Sequence, residues 1–399
     1  MIKTLFTATA LVIAAPALAE THTVEPGEGA QERLQEALIL AEPGDTVQLA
    51  AGRYELTDGL SLDVDNVTVR GAGMRETVLD FGGQQGAGEG LLVTSDNVTL
   101  RDFGMENPKG DGIKSKGADD IVYYRVAVDW TGGPLTSNGA YGVYPVESTG
   151  VLVDGVTVTG ASDAGIYVGQ SRDIVVRNSH VAYNVAGIEI ENSRNARVHG
   201  NYVTHNTGGI LVFDLPNLPV MGGGQVLVDH NIVVANDTPN FAPEGNIVGT
   251  VPMGAGIMVL SNDTVAVAHN TIADNATAGV MVLAYSRDFE DERFDPVPRK
   301  VAVMDSNMFR NNGFAPAFPG GDMLAAALDG KLPDVVWDGL GEDALRAGDG
   351  VPVVSLGYTE VGQDPASAQP AIVTGQHPLQ SGDNAFIMVH PPALEDRAK

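Results

Sequence analysis

The chain has no cysteine and few aromatic residues. Among its 399 residues, 6% are aromatic, whereas 49 are glycine. The lack of cysteine excludes disulfide bonds, thiolate metal sites and a cysteine nucleophile. Many short valine-rich runs are punctuated by glycine and asparagine, which is typical of short strands and tight turns rather than helices.

Positive charge is also scarce. The sequence has 23 Lys and Arg against 51 Asp and Glu, a formal net charge of −28. This field would repel nucleic acid and an anionic membrane surface, so we expect neither as a partner. A polyanionic glycan would be repelled too, unless a cation bridged it or a local basic patch overrode the net charge. No cofactor motif is present; surface aspartates could bind calcium, although no EF-hand spacing occurs.

Long apolar runs are absent beyond the N-terminus. After Lys3, the run "TATALVIAAPALA" ends in the small-x-small sequence Ala17-Leu18-Ala19, which predicts a signal peptide over residues 1–19, cleaved after Ala19. The run is too short to span a membrane, and no other approaches ~20 residues. We therefore expect an exported bacterial protein without a membrane span, either periplasmic or secreted.

What the sequence does contain is an internal repeat of about 22 residues. It is clearest in "GIYVGQSRDIVVRNSHVAYNVA" from Gly165 and "GIEIENSRNARVHGNYVTHNTG" from Gly187, followed by "GILVF" from Gly209. The template is Gly-apolar-x-apolar, a polar corner, apolar-x-apolar, a second polar corner, a third short strand and then Asn. Three alternating strands per repeat predict one coil of a right-handed parallel β-helix.

We therefore predict an all-β, single-domain parallel β-helix over residues 59–313, with about nine to ten coils. Residues 20–58 should form an N-terminal cap containing an amphipathic helix at 30–41, and residues 314–399 an irregular C-terminal cap whose tail runs back along the rod. The predicted inward pairs of the second strand are Val67/Val69, Val98/Leu100, Val151/Val153, Ile174/Val176, Val226/Val228 and Val265/Val267.

Two polar ladders accompany these strands at a constant offset of five residues. The first is Ser179, Asn201, Asn231, Asn270 and Ser306; the second is Asn184, Asn206, Asn236, Asn275 and Asn311. Asparagine tolerates the left-handed conformation that tight turns require, and stacked amides can hydrogen-bond from coil to coil.

Departures from the period mark insertions. They fall at 82–89, 130–140, 214–224, 237–255 and 286–299. All of them flank the first strand of the repeat, on one side or the other. Because repeat proteins usually place insertions on one functional face, we expect a groove along the outer surface of the first-strand row.

The outward positions of that row supply the candidate site. The catalytic candidates are Lys114, Tyr141, Tyr144, Tyr167 and Glu189, and the substrate-binding candidates are Lys116, Glu191 and Phe213. Acid, base and cation would converge there, as glycan chemistry requires. The alternative is an ordinary solvated ladder of Lys and Glu with tyrosines that favour strands. An apolar strip from Leu211 to Leu283 follows, and we expect the flanking loops to cover it; otherwise it would be a partner surface.

A metal site is a weaker prediction. His230 and His269 occupy adjacent rungs of one ladder, about 5 Å apart. They could share a metal ion, but a solvated polar ladder is the favoured interpretation.

The segments "EPGDTVQLAAGRYEL", "DNVTVRGAG" and "TVLDF" resemble the pectate-lyase-like superfamily of right-handed β-helices, and the likeness covers roughly residues 30–313. The chain is also similar to secreted parallel β-helix repeat proteins, some encoded beside a c-type cytochrome. The superfamily includes polysaccharide lyases, epimerases and hydrolases as well as non-catalytic members.

One motif resembles that of alginate epimerases, Tyr-Gly-x-Asp-Pro-His. In "YGVYPVES" the chain keeps Tyr141, Gly142 and Pro145, whereas Tyr144 and Val146 stand at the positions of the family's Asp and His. Lys114 or Lys116 would supply the cation from the preceding coil. The likeness implies a polysaccharide lyase or uronate C5-epimerase relative acting on a polysaccharide or oligosaccharide.

Two other functions stay open. A non-catalytic periplasmic protein could dock a partner such as a c-type cytochrome through Leu211, Phe213, Met258, Leu260 and Met281. Metal delivery is the third hypothesis.

Overall fold

The computed structural model describes residues 19–86, 88–373 and 392–399. The predicted signal peptide therefore lies, apart from Ala19, outside the described residues, as does segment 374–391 of the predicted C-terminal tail. Among the described residues, no helix has the length and apolar character needed to cross a membrane.

The chain winds through three rows of parallel strands, which confirms the predicted parallel β-helix. Row 1 carries the repeat glycines and provides eleven of the twelve strands of one sheet. Its strands are Leu60–Leu62, Leu91–Val93, Ile113–Lys116, Tyr141–Val146, Ala164–Gly169, Ala186–Glu191, Gly208–Phe213, Ala255–Leu260, Ala278–Leu283, Val335–Trp337 and Val353–Ser355.

Rows 2 and 3 complete each coil. Row 2 comprises Thr21–Val24, Thr46–Leu49, Thr68–Arg70, Thr149–Asp154, Arg172–Arg177, Arg194–His199, Gly224–Asp229, Asp263–Ala268, Arg299–Val303 and Leu345–Ala347. Row 3 comprises Gly52–Glu55, Thr77–Asp80, Thr157–Thr159, His180–Ala182, Tyr202–Thr204, Ile232–Val234, Thr271–Ala273 and Met308–Arg310. Two long strands, Thr99–Glu106 and Ile121–Asp129, run through both rows.

A helix at Ala30–Leu40 closes the first coil, as the sequence predicts, because its buried residues Leu34 and Leu38 pack on the core. The other helices are Gly321–Ala327 and Pro392–Arg397, and short 3₁₀ turns occur at Ile247–Thr250 and Pro365–Ser367. The ladder begins earlier than residue 59, since Thr46–Leu49 already pairs with Thr68–Arg70.

The ladder also extends beyond residue 313, where the repeat was predicted to give way to an irregular cap. Val335–Trp337 pairs in parallel with Ala278–Leu283, and Val353–Ser355 pairs with Val335–Trp337. An antiparallel strand, Ala371–Val373, then pairs with Val353–Ser355. The repeat pattern did not predict these strands, because long insertions separate them and no repeat glycine precedes them.

The C-terminal helix lies back along the rod. Leu394 and Ala398 pack against Val122, Leu152 and Val175 on row 2. A salt bridge of 2.7 Å joins Glu395 to Arg177. The chain end is thus fastened to the middle coils.

The repeat glycines are needed because neighbouring coils approach closely at row 1. A Cβ atom at Gly187 would lie 2.6 Å from the carbonyl oxygen of Gly209, and one at Gly209 would lie 2.3 Å from that of Gly256. No side chain fits there, so the glycine marks the coil boundary. The predicted inward pairs of row 2 are all buried, at 0–2% exposure, and form the core.

The asparagine ladders exist with one correction. The last rungs are Asn307 and Asn312, not Ser306 and Asn311, since Asn270 and Asn275 bond to those residues. The register shifts because Val267 pairs with Val303, so that the last coil holds one extra residue before its turn.

A second correction concerns the left-handed turns. The ladder asparagines do not adopt that conformation; the residue before each of them does. Tyr183, His205, Ala235, Asp274 and Asn311 have φ of 50–60° and precede Asn184, Asn206, Asn236, Asn275 and Asn312. The asparagine side chain therefore turns inward and bonds to the next coil.

Candidate functional site

A cavity of about 290 Å³ opens on row 1, where the insertions predicted a groove. Its floor comes from row 1 and its wall from the insertions at 214–224 and 237–255. The lining residues are Tyr141, Tyr144, Asp163, Tyr167, Gln170, Glu189, Glu191, Leu211, Phe213, Leu215, Leu218, Ile247, Val248, Thr250, Val251, Met258 and Leu260.

Three tyrosines pack together at one end. The ring centroids of Tyr141, Tyr144 and Tyr167 are 4.5, 4.7 and 4.8 Å apart. Tyr167 leans along its strand over Gly169, where a Cβ would lie 2.2 Å from the tyrosine hydroxyl. Glycine at this position therefore makes room for the ring. Because Gly169 is paired with Glu191, the Tyr167 hydroxyl reaches the Glu191 carboxyl and hydrogen-bonds it.

Three carboxyl groups lie beside the tyrosines. Asp163, Glu189 and Glu191 are 7%, 2% and 6% exposed. The Tyr141 hydroxyl donates a long hydrogen bond of 3.4 Å to Asp163 Oδ2. Glu189 Oε1 is buried and has no hydrogen-bond partner. Three acids are thus held out of water in one place.

Burial, reinforced by the charge of neighbouring carboxylates, raises the pKa of all three. Loss of hydration, reinforced by the neighbouring Glu191 charge, raises the pKa of Asp163 to about 7. Burial likewise raises the pKa of Glu191 to about 7, against the hydrogen bond from Tyr167. The pKa of Glu189 lies well above its ordinary value because that side chain is the most deeply buried. Groups that gain and lose protons near neutral pH can act as acid or base.

The tyrosines are less suited to act as bases. Burial, followed by the charge of nearby carboxylates, raises the pKa of Tyr144 to about 12 and that of Tyr141 and Tyr167 well above the ordinary value. Their hydroxyls therefore stay protonated and serve as hydrogen-bond donors.

Neither predicted lysine is available inside the cavity, because Lys114 is paired with carboxylates and Lys116 lies outside it. Lys114 Nζ lies 3.2 Å from Glu89 and 3.5 Å from Asp111, and 4.8 Å from the centre of the Tyr144 ring. Lys114 thus supports Tyr144 at the edge of the site. Lys116 is 57% exposed, lies 3.9 Å from Glu147 and does not line the cavity.

The insertions cover most of the apolar strip, whereas Leu260 and Leu283 stay partly exposed. Leu211, Phe213, Met258 and Met281 are 2–6% exposed and pack against residues such as Val248 and Val251 of the 237–255 insertion. A partner protein therefore cannot dock on these side chains as the structure stands. Phe213, a predicted substrate-binding residue, lines the cavity.

The two histidines do not line this cavity; they lie at the turns that follow the row 2 strands Gly224–Asp229 and Asp263–Ala268. The rings of His230 and His269 stack at 5.0 Å, and His230 Nδ1 bonds to Asp229 at 2.7 Å. Both residues have φ of 55° and precede ladder asparagines. Within the described ranges there is no group of three His, Asp or Glu placed to hold a metal ion. The geometry favours turn residues over metal ligands.

Asp163 was missed by sequence reasoning. It stands two residues before the repeat glycine Gly165, whereas the outward positions were taken from the second and fourth residues after each glycine. A partial signal was Tyr141, which comes one residue before Gly142, lines the cavity and pairs with Ala164, the neighbour of Asp163. The segment just before a repeat glycine can thus face the groove.

Replacing Asp163 by asparagine is expected to stabilise the protein at pH 7.5 but not at pH 4. The raised pKa means that folded Asp163 keeps its proton between about pH 4 and 7, where the unfolded chain has lost it. The free energy of unfolding of the wild-type protein therefore falls by roughly 2–4 kcal/mol as the pH rises from 4 to 7. Urea unfolding at both pH values measures this, with the exposed Asp349→Asn as control. An equal effect at both pH values would contradict the assignment.

Comparison with known proteins supports the fold. Residues 58–219 match the family described as "Right handed beta helix region". No curated protein sequence matches the chain.

Solved structures share the architecture at low identity. The A-module of a mannuronan C-5 epimerase from Azotobacter vinelandii is 16% identical with a TM-score of 0.50, covering 82% of this chain and 94% of that one. An alginate lyase from Paenibacillus sp. is 17% identical with a TM-score of 0.50, covering 74% and 96%. A surface protein and adhesin of Streptococcus pneumoniae is 12% identical with a TM-score of 0.52, covering 84% and 90%. The chain thus has the right-handed parallel β-helix fold.

Proposed function

We propose that the protein binds a polysaccharide in the row 1 groove and hydrolyses its glycosidic bonds with the carboxyl groups of Asp163 and Glu191. One observation carries the proposal: two buried carboxyls with a pKa of about 7 line a cavity beside three tyrosines. The kinds of polymer named for the structural relatives, a mannuronan and an alginate, support a carbohydrate partner.

The chemistry follows from the paired acids. Glycoside hydrolysis needs one protonated carboxyl to protonate the leaving oxygen and one carboxylate to activate water or to attack the sugar carbon. Two interacting acids that titrate near neutrality share one proton over that range, so both forms are present together. We assign these two roles to Asp163 and Glu191 because both line the cavity with a pKa of about 7 and the Glu191 charge raises the pKa of Asp163.

The other groups would position the sugar. The tyrosine rings offer flat apolar faces for the C–H groups of a sugar, and their protonated hydroxyls donate hydrogen bonds. Lys114 holds Tyr144 in place through the contact over its ring. The insertions keep bulk water away from the acids, which strengthens every polar contact inside.

Elimination or epimerisation at a uronate is less well supported. Both need a free cation to neutralise the sugar carboxylate while a base removes the neighbouring proton. Lys114 is already paired with Glu89 and Asp111. Tyr144 and Val146 replace the Asp and His of the epimerase motif, and the tyrosines hold their protons.

Export from the cell would bring the protein to such a polymer, and we keep the predicted signal peptide as part of the proposal. A bound calcium ion and a c-type cytochrome partner stay predictions of the sequence.

The test is a turnover screen with the full mature chain. Neutral, aminated and uronate polysaccharides are incubated with the protein, and new reducing ends and unsaturated products are measured separately. We expect new reducing ends without unsaturated product. Unsaturated product would instead favour a lyase, and the absence of both product and binding for every polymer would overturn the proposal.

A further inference from the structure

The charged residues that line the cavity are all acidic. Among the described residues that line it, Asp163, Glu189 and Glu191 are acidic and none is basic. The nearest predicted cations, Lys114 and Lys116, contact carboxylates outside the cavity at 3.2–3.9 Å. No counter-charge from this part of the chain offsets the three acids.

Glu189 is the acid in the cavity wall that most clearly lacks a partner. Its side chain lies on the cavity wall at 2% exposure, and its Oε1 has no hydrogen-bond partner. A buried carboxyl oxygen without a donor costs free energy that folding must offset elsewhere. Such a group in a cavity wall indicates a ligand that donates a hydrogen bond at this point.

The chemical nature of the ligand group that would donate to Glu189 can be narrowed. A uronate carboxylate would place another acid against three whose pKa is already raised, and no cation lines the cavity to offset it. A metal ion needs a set of three ligands, and no such group exists among the described residues. A neutral hydroxyl donates one hydrogen bond and leaves the charge in place, whereas an ammonium group donates three and neutralises charge as well.

We infer that the cavity recognises a polysaccharide unit that bears a free, protonated amino group. This inference rests on the proposed function and names its substrate class. The amino group lies among Glu189, Glu191 and Asp163, and the ring lies against the tyrosines. The cavity volume of about 290 Å³ lies at the lower end for small-ligand pockets, which suits a single bound unit. The net charge of −28 draws cationic polymer to the groove.

The test compares three oligomers of equal length by calorimetry at pH 6.5 and low salt: glucosamine hexamer, N-acetylglucosamine hexamer and mannuronate hexamer. We expect the aminated oligomer to bind at least 10-fold more tightly than the acetylated one, with an affinity that falls as salt is added. The mannuronate oligomer should not bind.

Two variants assign the preference to the cavity. Glu189→Gln should remove most of the 10-fold preference while leaving the affinity for the acetylated oligomer within about twofold. Glu55→Gln makes the same chemical change at an exposed site on row 3 and should change neither affinity. Thermal unfolding of both variants shows whether each is folded. If Glu189→Gln does not fold, the wild-type preference among the three oligomers still tests the inference.

The outcomes separate this inference from the proposed function. Equal binding of acetylated and aminated oligomers, or tighter binding of mannuronate, overturns the amino-sugar preference and leaves polysaccharide hydrolysis in place. Spermidine, a cation without a sugar ring, is measured as a further ligand. If it binds as tightly as the aminated oligomer and no glycan yields product, both the amino-sugar preference and polysaccharide hydrolysis are overturned. Selective binding of the aminated oligomer supports both.

Discussion

Replacing Asn206 by alanine should lower the free energy of unfolding by roughly 3–5 kcal/mol. Asn206 is fully buried, and its Oδ1 accepts hydrogen bonds from the backbone and side-chain nitrogens of Asn184, both at 3.0 Å. Its Nδ2 donates to Val181 and to Asn236. Truncation leaves the Asn184 N–H and the Val181 carbonyl without partners and opens a small cavity. Urea unfolding followed by circular dichroism measures the loss.

Two further variants check the register of the ladder. Asn312→Ala should also be strongly destabilising, because Asn312 bonds to Asn275 inside the coil. Asn311→Ala should cost about 1 kcal/mol, since that side chain is exposed and the cost is that of alanine at positive φ. A larger effect at Asn311 than at Asn312 would contradict the observed register.

Replacing Asp163 by asparagine or Glu191 by glutamine should lower kcat by about 100-fold or more on the polysaccharide that the turnover screen identifies. Either change keeps the shape of the side chain and removes one of the two required groups, the carboxyl that donates the proton or the carboxylate that activates water or attacks the sugar carbon. The loss should appear in kcat more than in KM, because the acid and base act in the transition state. Reducing-end assays across pH 5–9 provide the measurement, and the pH optimum near 7 should disappear with the paired groups.

Matched controls exclude a general loss of structure. Glu55→Gln and Lys116→Ala alter an exposed carboxylate and a lysine that does not line the cavity, and both should keep activity within about twofold. Thermal unfolding should show each variant folded. More than a tenth of wild-type activity in Asp163→Asn or Glu191→Gln would exclude that residue as acid or base.

Much of the architecture could be predicted because it depends on periodic features. Alternation identified the inward valines of row 2, and the glycine spacing identified the coil boundaries, where backbones approach to within contact of any added Cβ. Prediction failed where the period is interrupted: the last ladder rungs shifted by one residue, and the strands at Val335–Trp337 and Val353–Ser355 were missed. A coil formed after a long insertion is fixed by pairing with the coil below, which leaves little local signal.

The site was predicted in part for the same reason. Tyr144, Tyr167, Glu189 and Glu191 line the cavity because they occupy the alternating outward positions of row 1. Asp163 comes just before its row 1 strand, Ala164–Gly169, and was therefore not among those positions. Lys116 lies on row 1, as predicted, but does not line the cavity. Which row 1 side chains reach the cavity depends on the side chains around them.

By itself, the sequence determined that the chain coils, which side chains alternate inward, and that one row is flanked by insertions, because each is a local pattern repeated along the chain. The tertiary structure alone decided that Tyr167, Glu189 and Glu191 are buried, that Asp163 joins them, and how far the insertions cover the apolar strip. The physical reason is desolvation: the charge state of these acids depends on how insertions 214–224 and 237–255 fold over row 1, and those insertions carry no period from which their path could be predicted.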